Sequence, residues 1–337
     1  MVSFFYCLVD MPQFLCMMSF MILPSNITPS LCCIHTGLQE EKIKFNVMTY
    51  AQYKKLGEKQ AMIVLADRSL NNIKTIRAIL GECAVNNWNY RIGSNVFPLM
   101  THPDLEFTVD DFYNAEEIYS EFRAAAKIIQ DNNIRCSMHP DQFVVPASPK
   151  DGVAENSIRD LEQHAMIMDL LQLPQSYAAP INIHMNCYND GKFSEVVDRL
   201  EKVLKRMSKS VTSRLVFENE DKLKSWTVVN LYNNVYERMN IPITFDNLHN
   251  KCNPSTLLDE EEAFEMAVST WPKDVIPLFH FSESLVGKNP RAHADFPTML
   301  PDIYANYKGN LHLDFEFKMK ELAINKISRE KLLTIAG

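Results

Sequence analysis

Six apolar, strand-like runs of this chain each end on an imidazole or a carboxylate. They are IRCSMH to His139, PINIH to His184, RLVFE to Glu218, IPITFD to Asp246, IPLFH to His280 and LHLDFE to Glu316. The intervals between these residues run from roughly 28 to 45 positions, the length of a strand, a loop, a crossover helix and a return loop. Each interval also holds a stretch that reads as helix. The ionisable residues therefore belong at the same end of successive parallel strands. In a closed (β/α)8 barrel that end is the face on which active sites are built. A single strand-end histidine is more often structural than functional. Six in register do not fit a core, which has no use for so many buried ionisable groups.

The run Ile241 to Phe245 is the sharpest case. It is β-branched and aromatic, ends on Asp246, and is followed three residues later by His249. A strand end followed by a tight turn aims both side chains at one point, although a loop Asp beside a solvated His has the same spacing. Together with His293, the candidate ligands are His139, His184, Glu218, Asp246, His249, His280, His293 and Glu316. Five imidazoles and three carboxylates are too many for one ion. The donor set suits zinc, manganese or iron, and bridging carboxylates point to two or three ions. Metals a few Å apart bind a scissile phosphate, lower the pKa of a bridging water and stabilise the leaving oxygen. A barrel isomerase or aldolase uses fewer histidines. Phosphodiester hydrolysis is the first reading and sugar isomerisation the second.

The chain of 337 residues, with 46% hydrophobic and 23% charged residues, is long enough for one large α/β barrel with a sizeable core. Its net charge of −8 excludes a general basic coat for nucleic acid. It does not exclude a local one, because cations in a carboxylate-rich cleft reverse the sign of the field. The eight cysteines show neither C-x-x-C pairs nor regular spacing, so they are expected to be reduced and the protein intracellular rather than secreted. The apolar stretch Phe4 to Leu23 lacks a preceding Lys or Arg and is interrupted by Asp10, Pro12 and Gln13, so it makes a poor signal or membrane segment.

Residues 1–40 are accordingly expected to be a poorly ordered extension, and 41–337 a single (β/α)8 TIM-barrel domain. The expected strands are Lys42–Thr49, Asn89–Ser94, Ile134–His139, Pro180–His184, Arg214–Glu218, Ile241–Asp246, Val275–His280 and Asn310–Glu316. Helices are expected over Leu70–Asn86, Val109–Asp131, Ser157–Leu173, Phe193–Ser208, Thr227–Met239, Thr256–Val268 and Phe296–Tyr307, with a last one from Glu321. Lys318 and Lys320 leave the eighth strand on the ligand-bearing side, which makes them the first candidates for phosphate contacts. Asn219, Asn247 and Asn250 flank ligands and serve either as their orienters or as turn residues.

Several of these elements resemble those of UV damage endonucleases: HPDQF at 139–143, INIHMN around His184, VFENED around Glu218, TFDNLHNKCNP at 244–254, H-x-S at His280, AHADF around His293 and E-x-K-x-K-E from Glu316. NNIKTIRAIL and RIGSNVFPLMTHP resemble the family's N-terminal part, so the likeness covers roughly residues 42–325 in order. It implies that the eight candidate ligands hold divalent metals, manganese first and zinc second. It also implies that Gln142 and Phe143 wedge into the duplex at a lesion, where a ring stacks and an amide fills vacated hydrogen bonds. By pattern alone, Phe143 instead begins a buried run, FVV. Glu218, His280 and Lys318 are the catalytic candidates, and Lys320 joins Gln142 and Phe143 as a DNA contact. The family has Tyr at Phe143, Gly at Asp141 and a carboxylated lysine at Leu278. The expected partner is damaged double-stranded DNA, without a membrane, and the expected state is a monomer. The activity implied is a nick on the 5′ side of a photoproduct, leaving a 3′-hydroxyl. A sugar isomerase or epimerase, and a lesion binder that does not cut, remain the alternatives.

Overall fold

The computed structural model describes residues 23–187 and 191–328. Eight strands form one parallel sheet: β1 (Ile27–Cys32), β2 (Asn89–Ile92), β3 (Cys136–Met138), β4 (Ile181–His184), β5 (Leu215–Glu218), β6 (Ile243–Thr244), β7 (Leu278–Phe281) and β8 (Leu311–Phe315). Their order is β6-β5-β4-β3-β2-β1-β8-β7. The remaining seam lies between β6 and β7. It is bridged by a parallel Asp246–His280 contact, in which the His280 N–H donates to the Phe245 carbonyl at 2.9 Å. Two candidate ligands thus close the cylinder, and the fold is the expected TIM barrel. Inward-facing side chains fill its interior as a packed core, and an outer ring of helices covers it.

The first strand departs from expectation. β1 comes from Ile27–Cys32, inside the stretch read as an extension, and not from Lys42–Thr49. β1 is buried and pairs with both β2 and β8, so the barrel starts well before residue 41. Pro29 removes one ladder donor and Ser30 interrupts the apolar run, which hid the signal. The alternating run KIKFNVMT stays irregular: Val47 is exposed, and the Asn71 and Asn72 side chains satisfy its backbone. The apolar stretch before Leu23 lies outside the described residues.

The helix expected from Leu70 begins at Glu58 and runs to Asn86, ending on Asn87 in the left-handed region. Val109–Asp131 splits into a 3-10 turn, Val109–Asp111, and a helix, Ala115–Asp131. Thr227–Met239 breaks at a π-helical turn, Tyr232–Tyr236. Only Asp302–Ala305 is helical in the stretch 296–307. Outside β6 and β7, Phe245, Phe264, Phe279 and Tyr304 pack edge to face, with Phe264 and Phe279 centroids 5.5 Å apart. The Tyr304 hydroxyl donates to the His280 carbonyl at 2.7 Å, which ties the aromatic cluster to the strand that carries the ligand.

Candidate metal centre

The parallel register builds the site. It sets His184 of β4 beside Glu218 of β5, and His280 of β7 beside Asp314 of β8. Asp246 follows β6 and caps the short helix Asn247–Cys252: its Oδ1 accepts the His249 N–H at 2.7 Å. That is the ordinary N-cap geometry, in which the side chain satisfies an orphan donor of the first turn. It explains the D-x-x-H spacing. One carboxylate oxygen is spent on the cap, the other faces inward, and the imidazole three residues on turns to the same point. Asn219 clamps Asp246 from both sides, accepting its N–H at 2.8 Å and donating to its carbonyl at 3.0 Å. Asn247 does the same for Ser282, just past β7. Both asparagines are therefore orienters of the ligand-bearing loops.

Glu218 is the hub. His139 Nε2 lies 3.0 Å and His184 Nε2 3.7 Å from its Oε2, while His249 Nδ1 lies 2.9 Å and His280 Nδ1 3.2 Å from its Oε1. His280 Nδ1 is also 3.3 Å from Glu316 Oε1 and 3.9 Å from Asp246 Oδ2. His293 approaches Glu316 from the loop after β7, with Nδ1 3.8 Å from Oε2 and 2.7 Å from the Glu316 carbonyl. Seven of the eight candidate ligands gather at the carboxyl ends of the strands, and His293 stands beside them, bonded to the Glu316 carbonyl.

Three groups of ligand atoms lie within 4.8 Å of one another: His139–Glu218–His280, His184–Glu218–His249 and Asp246–His280–Glu316. Two ligands of one ion, each about 2.1 Å from it, stand roughly 3.0–3.4 Å apart in octahedral or tetrahedral geometry. Most of the separations above fall in or near that range. Glu218 Oε1, Asp246 Oδ2 and His280 Nδ1 are buried and, among the described residues, meet one another at ion-pair distances without an aligned hydrogen bond. Buried polar atoms are ordinarily satisfied, so these orphans facing one another fit divalent cations. The tautomers fit as well: His139 Nδ1 meets the Pro140 carbonyl at 3.0 Å, which leaves Nε2 as the ligand atom.

The electrostatics agree. Burial pushes the Glu218 carboxyl up, but the imidazoles of His184 and His280 outweigh it and hold it well below the usual range. Burial likewise opposes ionisation of Glu316, and Arg91 beside it reverses the sign. Burial drives His184 down to about 4, so its ring is neutral and able to ligate. His280 is driven down by burial yet held up at about 9 by Glu218 and Glu316. His280 and His249 hold protons against these acids, so a bound cation would take the place of those protons.

The structure also brings in residues that the sequence reading passed over. Arg91 of β2 pairs with Glu316 and lies 3.6 Å from Asp314 Oδ2. Asp314 is fully buried, 3.6 Å from His280 Nε2, the ring nitrogen opposite the cluster. Asn182 Nδ2 donates to Glu218 Oε2 at 2.6 Å. Arg91 and Asn182 sit inside the strand runs, and Asp314 lies two residues before Glu316 on the same face of β8. That period of two was the available signal. Leu278, also two residues before its ligand, is buried in β7.

The other expected residues lie around the mouth. Gln142 and Phe143 occupy the corners of a turn closed by the Val144 N–H and the Asp141 carbonyl at 2.9 Å. Phe143 is 77% exposed and Val144 is buried, so the apolar run FVV enters the core only after its first residue. Lys318 is exposed on the loop after β8, with Nζ 4.0 Å from Asp295. Its backbone N–H donates to Ala294, next to His293. Lys318 thus stands beside the cluster rather than in it. Lys320 is half-buried and opens the helix Lys320–Ser328.

Comparison with known proteins agrees with this arrangement. Residues 30–336 match the model of the family UV-endonuclease UvdE. A UV DNA damage endonuclease of a Nostoc species is 32% identical over 292 residues, 85% of each chain. One of Bacillus cereus is 29% identical over 299 residues, covering 86% of this chain and 90% of that protein. The crystal structure of SacUVDE superposes with a TM-score of 0.76 at 25% identity, covering 92% of this chain and 99% of that one. On the fold, the ligand cluster and these matches, the chain belongs to the UV-endonuclease family.

Proposed function

We propose that this protein is a metal-dependent hydrolase that nicks UV-damaged duplex DNA on the 5′ side of the lesion and so opens excision repair. The observation that carries the reading is the sharing of Glu218 by four imidazoles, His139, His184, His249 and His280, in a loop-lined mouth that also displays Phe143. Family membership supports the endonuclease role on UV damage.

His139, His184, Glu218, Asp246, His249, His280, His293 and Glu316 would hold two or three divalent ions, manganese first. Such ions, when bound, neutralise the scissile phosphate and acidify the attacking water. The rest falls to the protein. Glu218 and His280 hold the ligand geometry at the centre, and Asn182 and Asn219 keep the donors from rotating. Lys318 and Lys320 supply positive charge beside the mouth and contact backbone phosphates. Gln142 and Phe143 enter the base stack, where a photoproduct has already weakened pairing and the cost of unstacking is lowest. No helix among the described residues is long and apolar enough to cross a membrane. On the scattered cysteines and the family's DNA substrate, we assign the activity to a monomer inside the cell.

The test is incision of a duplex carrying one defined photoproduct, with Mn²⁺ supplied and bound metal measured alongside. A single nick 5′ of the lesion, leaving a 3′-hydroxyl, is the expected product. An intact substrate across Mn²⁺, Zn²⁺ and Mg²⁺ would sink the proposal.

A further inference from the structure

The turn that displays Gln142 and Phe143 does not stand alone. Asn186, two residues past His184, donates from Nδ2 to the Gln142 carbonyl at 3.1 Å. The Asn186 backbone N–H points the other way and donates to Glu220 Oε1 at 2.6 Å. Asn186 has φ 47°, in the left-handed region that asparagine tolerates better than most residues. That conformation lets one residue reach two partners in different directions.

Glu220 lies two residues past Glu218 and is buried. Its second oxygen accepts the Ser225 hydroxyl. Its backbone is held as firmly: the N–H donates to the Trp226 carbonyl at 2.8 Å, and the carbonyl accepts from Asn253 Nδ2 at 3.1 Å. A carboxylate this enclosed is held in place, because its partners are a backbone N–H and the hydroxyl of the buried Ser225. The chain of contacts therefore runs from the end of β5, through Glu220 and Asn186, to the corner of the turn after β3. Its two side chains follow the ligands Glu218 and His184 at the same offset of two residues.

We propose that Glu220 and Asn186 form a strut that sets the height and angle of the Gln142–Phe143 corner above the ligand cluster, and that this strut contributes to discrimination between damaged and intact duplex. The proposal rests on the reading above, in which that corner enters the base stack. A wedge on a loose turn must be ordered at the moment of binding, whereas a held one is ordered beforehand. The strut links wedge and metal ligands through two adjacent strand ends, so the lesion and the scissile phosphate are addressed from one frame. Both residues are positioning residues: neither meets the reacting phosphate.

The experiment measures the ratio of binding constants for a single-photoproduct duplex and its undamaged counterpart, with metal per chain determined on the same samples. Asn186→Gly relieves the backbone and removes the amide, and Asn186→Asp keeps the shape but loses the donor. Both are expected to lower the ratio by up to about tenfold, the upper end of what one net hydrogen bond contributes, with metal content unchanged. Glu220→Gln keeps an oxygen for the Asn186 N–H and is expected to retain the ratio, while Glu220→Ala loses it. Wild-type ratios in both Asn186 variants, or a ratio that falls only in step with metal content, overturn the strut. A wild-type protein that does not discriminate at all overturns the parent reading and the strut together, whereas a discriminating wild type with unaffected variants removes the strut alone.

Discussion

Asp246 accepts the backbone N–H of His249 at 2.7 Å through one carboxylate oxygen and offers the other to the cluster. One side chain thus caps a helix and faces the cluster. The two roles separate by mutation. Asp246→Asn keeps the cap acceptor and loses the anionic donor, so the stability of the metal-free fold should stay near wild type while at least one ion per chain and the incision activity are lost. Asp246→Ala should lose about 1 kcal/mol more, the worth of an N-cap. Thermal melts beside metal analysis check both, and an Asp246→Asn protein with full metal content would remove Asp246 from the ligand set.

Glu218 carries four imidazole contacts with no lysine or arginine partner among its ion pairs in the described residues. Bound cations should therefore stabilise the fold. By mass action, free metal at a hundredfold excess over Kd adds about 2.7 kcal/mol. Chelation should lower Tm, and Mn²⁺ should restore it. In Glu218→Gln the response to Mn²⁺ should shrink to a small remainder. A melting temperature indifferent to chelator would count against a bound cluster.

Phe143 is largely exposed, so its removal costs the fold little, within about 0.5 kcal/mol for a surface change. Phe143→Ala should leave Tm and metal content unchanged and reduce the preference for damaged duplex. Phe143→Tyr should keep that preference, because the stacking face remains. Equal preference in wild type and Phe143→Ala would end its role as a wedge.

Lys318 and Lys320 should act without regard to lesion. Replacing either with alanine is expected to weaken damaged and intact duplex alike and to reduce the slope of log K against log salt by about one. A selective effect on damaged DNA would move that lysine from phosphate contact to lesion recognition.

A pH effect belongs to the opposite end of the barrel. Burial, with Arg135 beside it, drives His312 down to about 3, and its Nδ1 meets the Arg135 guanidinium at 3.0 Å. The folded state therefore prefers the neutral ring, while the unfolded chain protonates near the ordinary value of about 6.5. The stability tied to this neutral ring is whole above that value and is lost progressively as pH falls from there towards 3. The slope is at most about 1.4 kcal/mol per pH unit, and less here because solvent reaches part of the ring. Denaturant melts from pH 7 to pH 5 should show a steeper loss in wild type than in His312→Gln. Parallel curves would contradict the assignment.

The ligand pattern was legible because it is periodic. Strand, crossover and return repeat along the chain, so His139, His184, Glu218, Asp246, His280 and Glu316 announced one face before any coordinates. β1 was hidden because Pro29 and Ser30 broke the apolar signal, while Lys42–Thr49 imitated a strand whose backbone groups are in fact satisfied by asparagine side chains. Arg91 and Asn182 lie within strands, where a buried polar group has no strand-end signature, while Asp314 carries only the period-of-two signal it shares with Glu316. The exposure of Phe143 was equally out of reach, since FVV reads the same whether its ring points in or out.

By itself the sequence determined the barrel class and the face on which the candidate ligands gather, because spacing along the chain is set by element lengths that sequence periodicity reveals. Tertiary structure alone decided that Asp246 and His280 close the seam, that Glu218 sits at the hub, and that Asn186 reaches the Gln142 turn. Those facts depend on the register of parallel strands and the closure of the sheet. Both are settled by packing among side chains far apart in the chain, and no local stretch of residues records them.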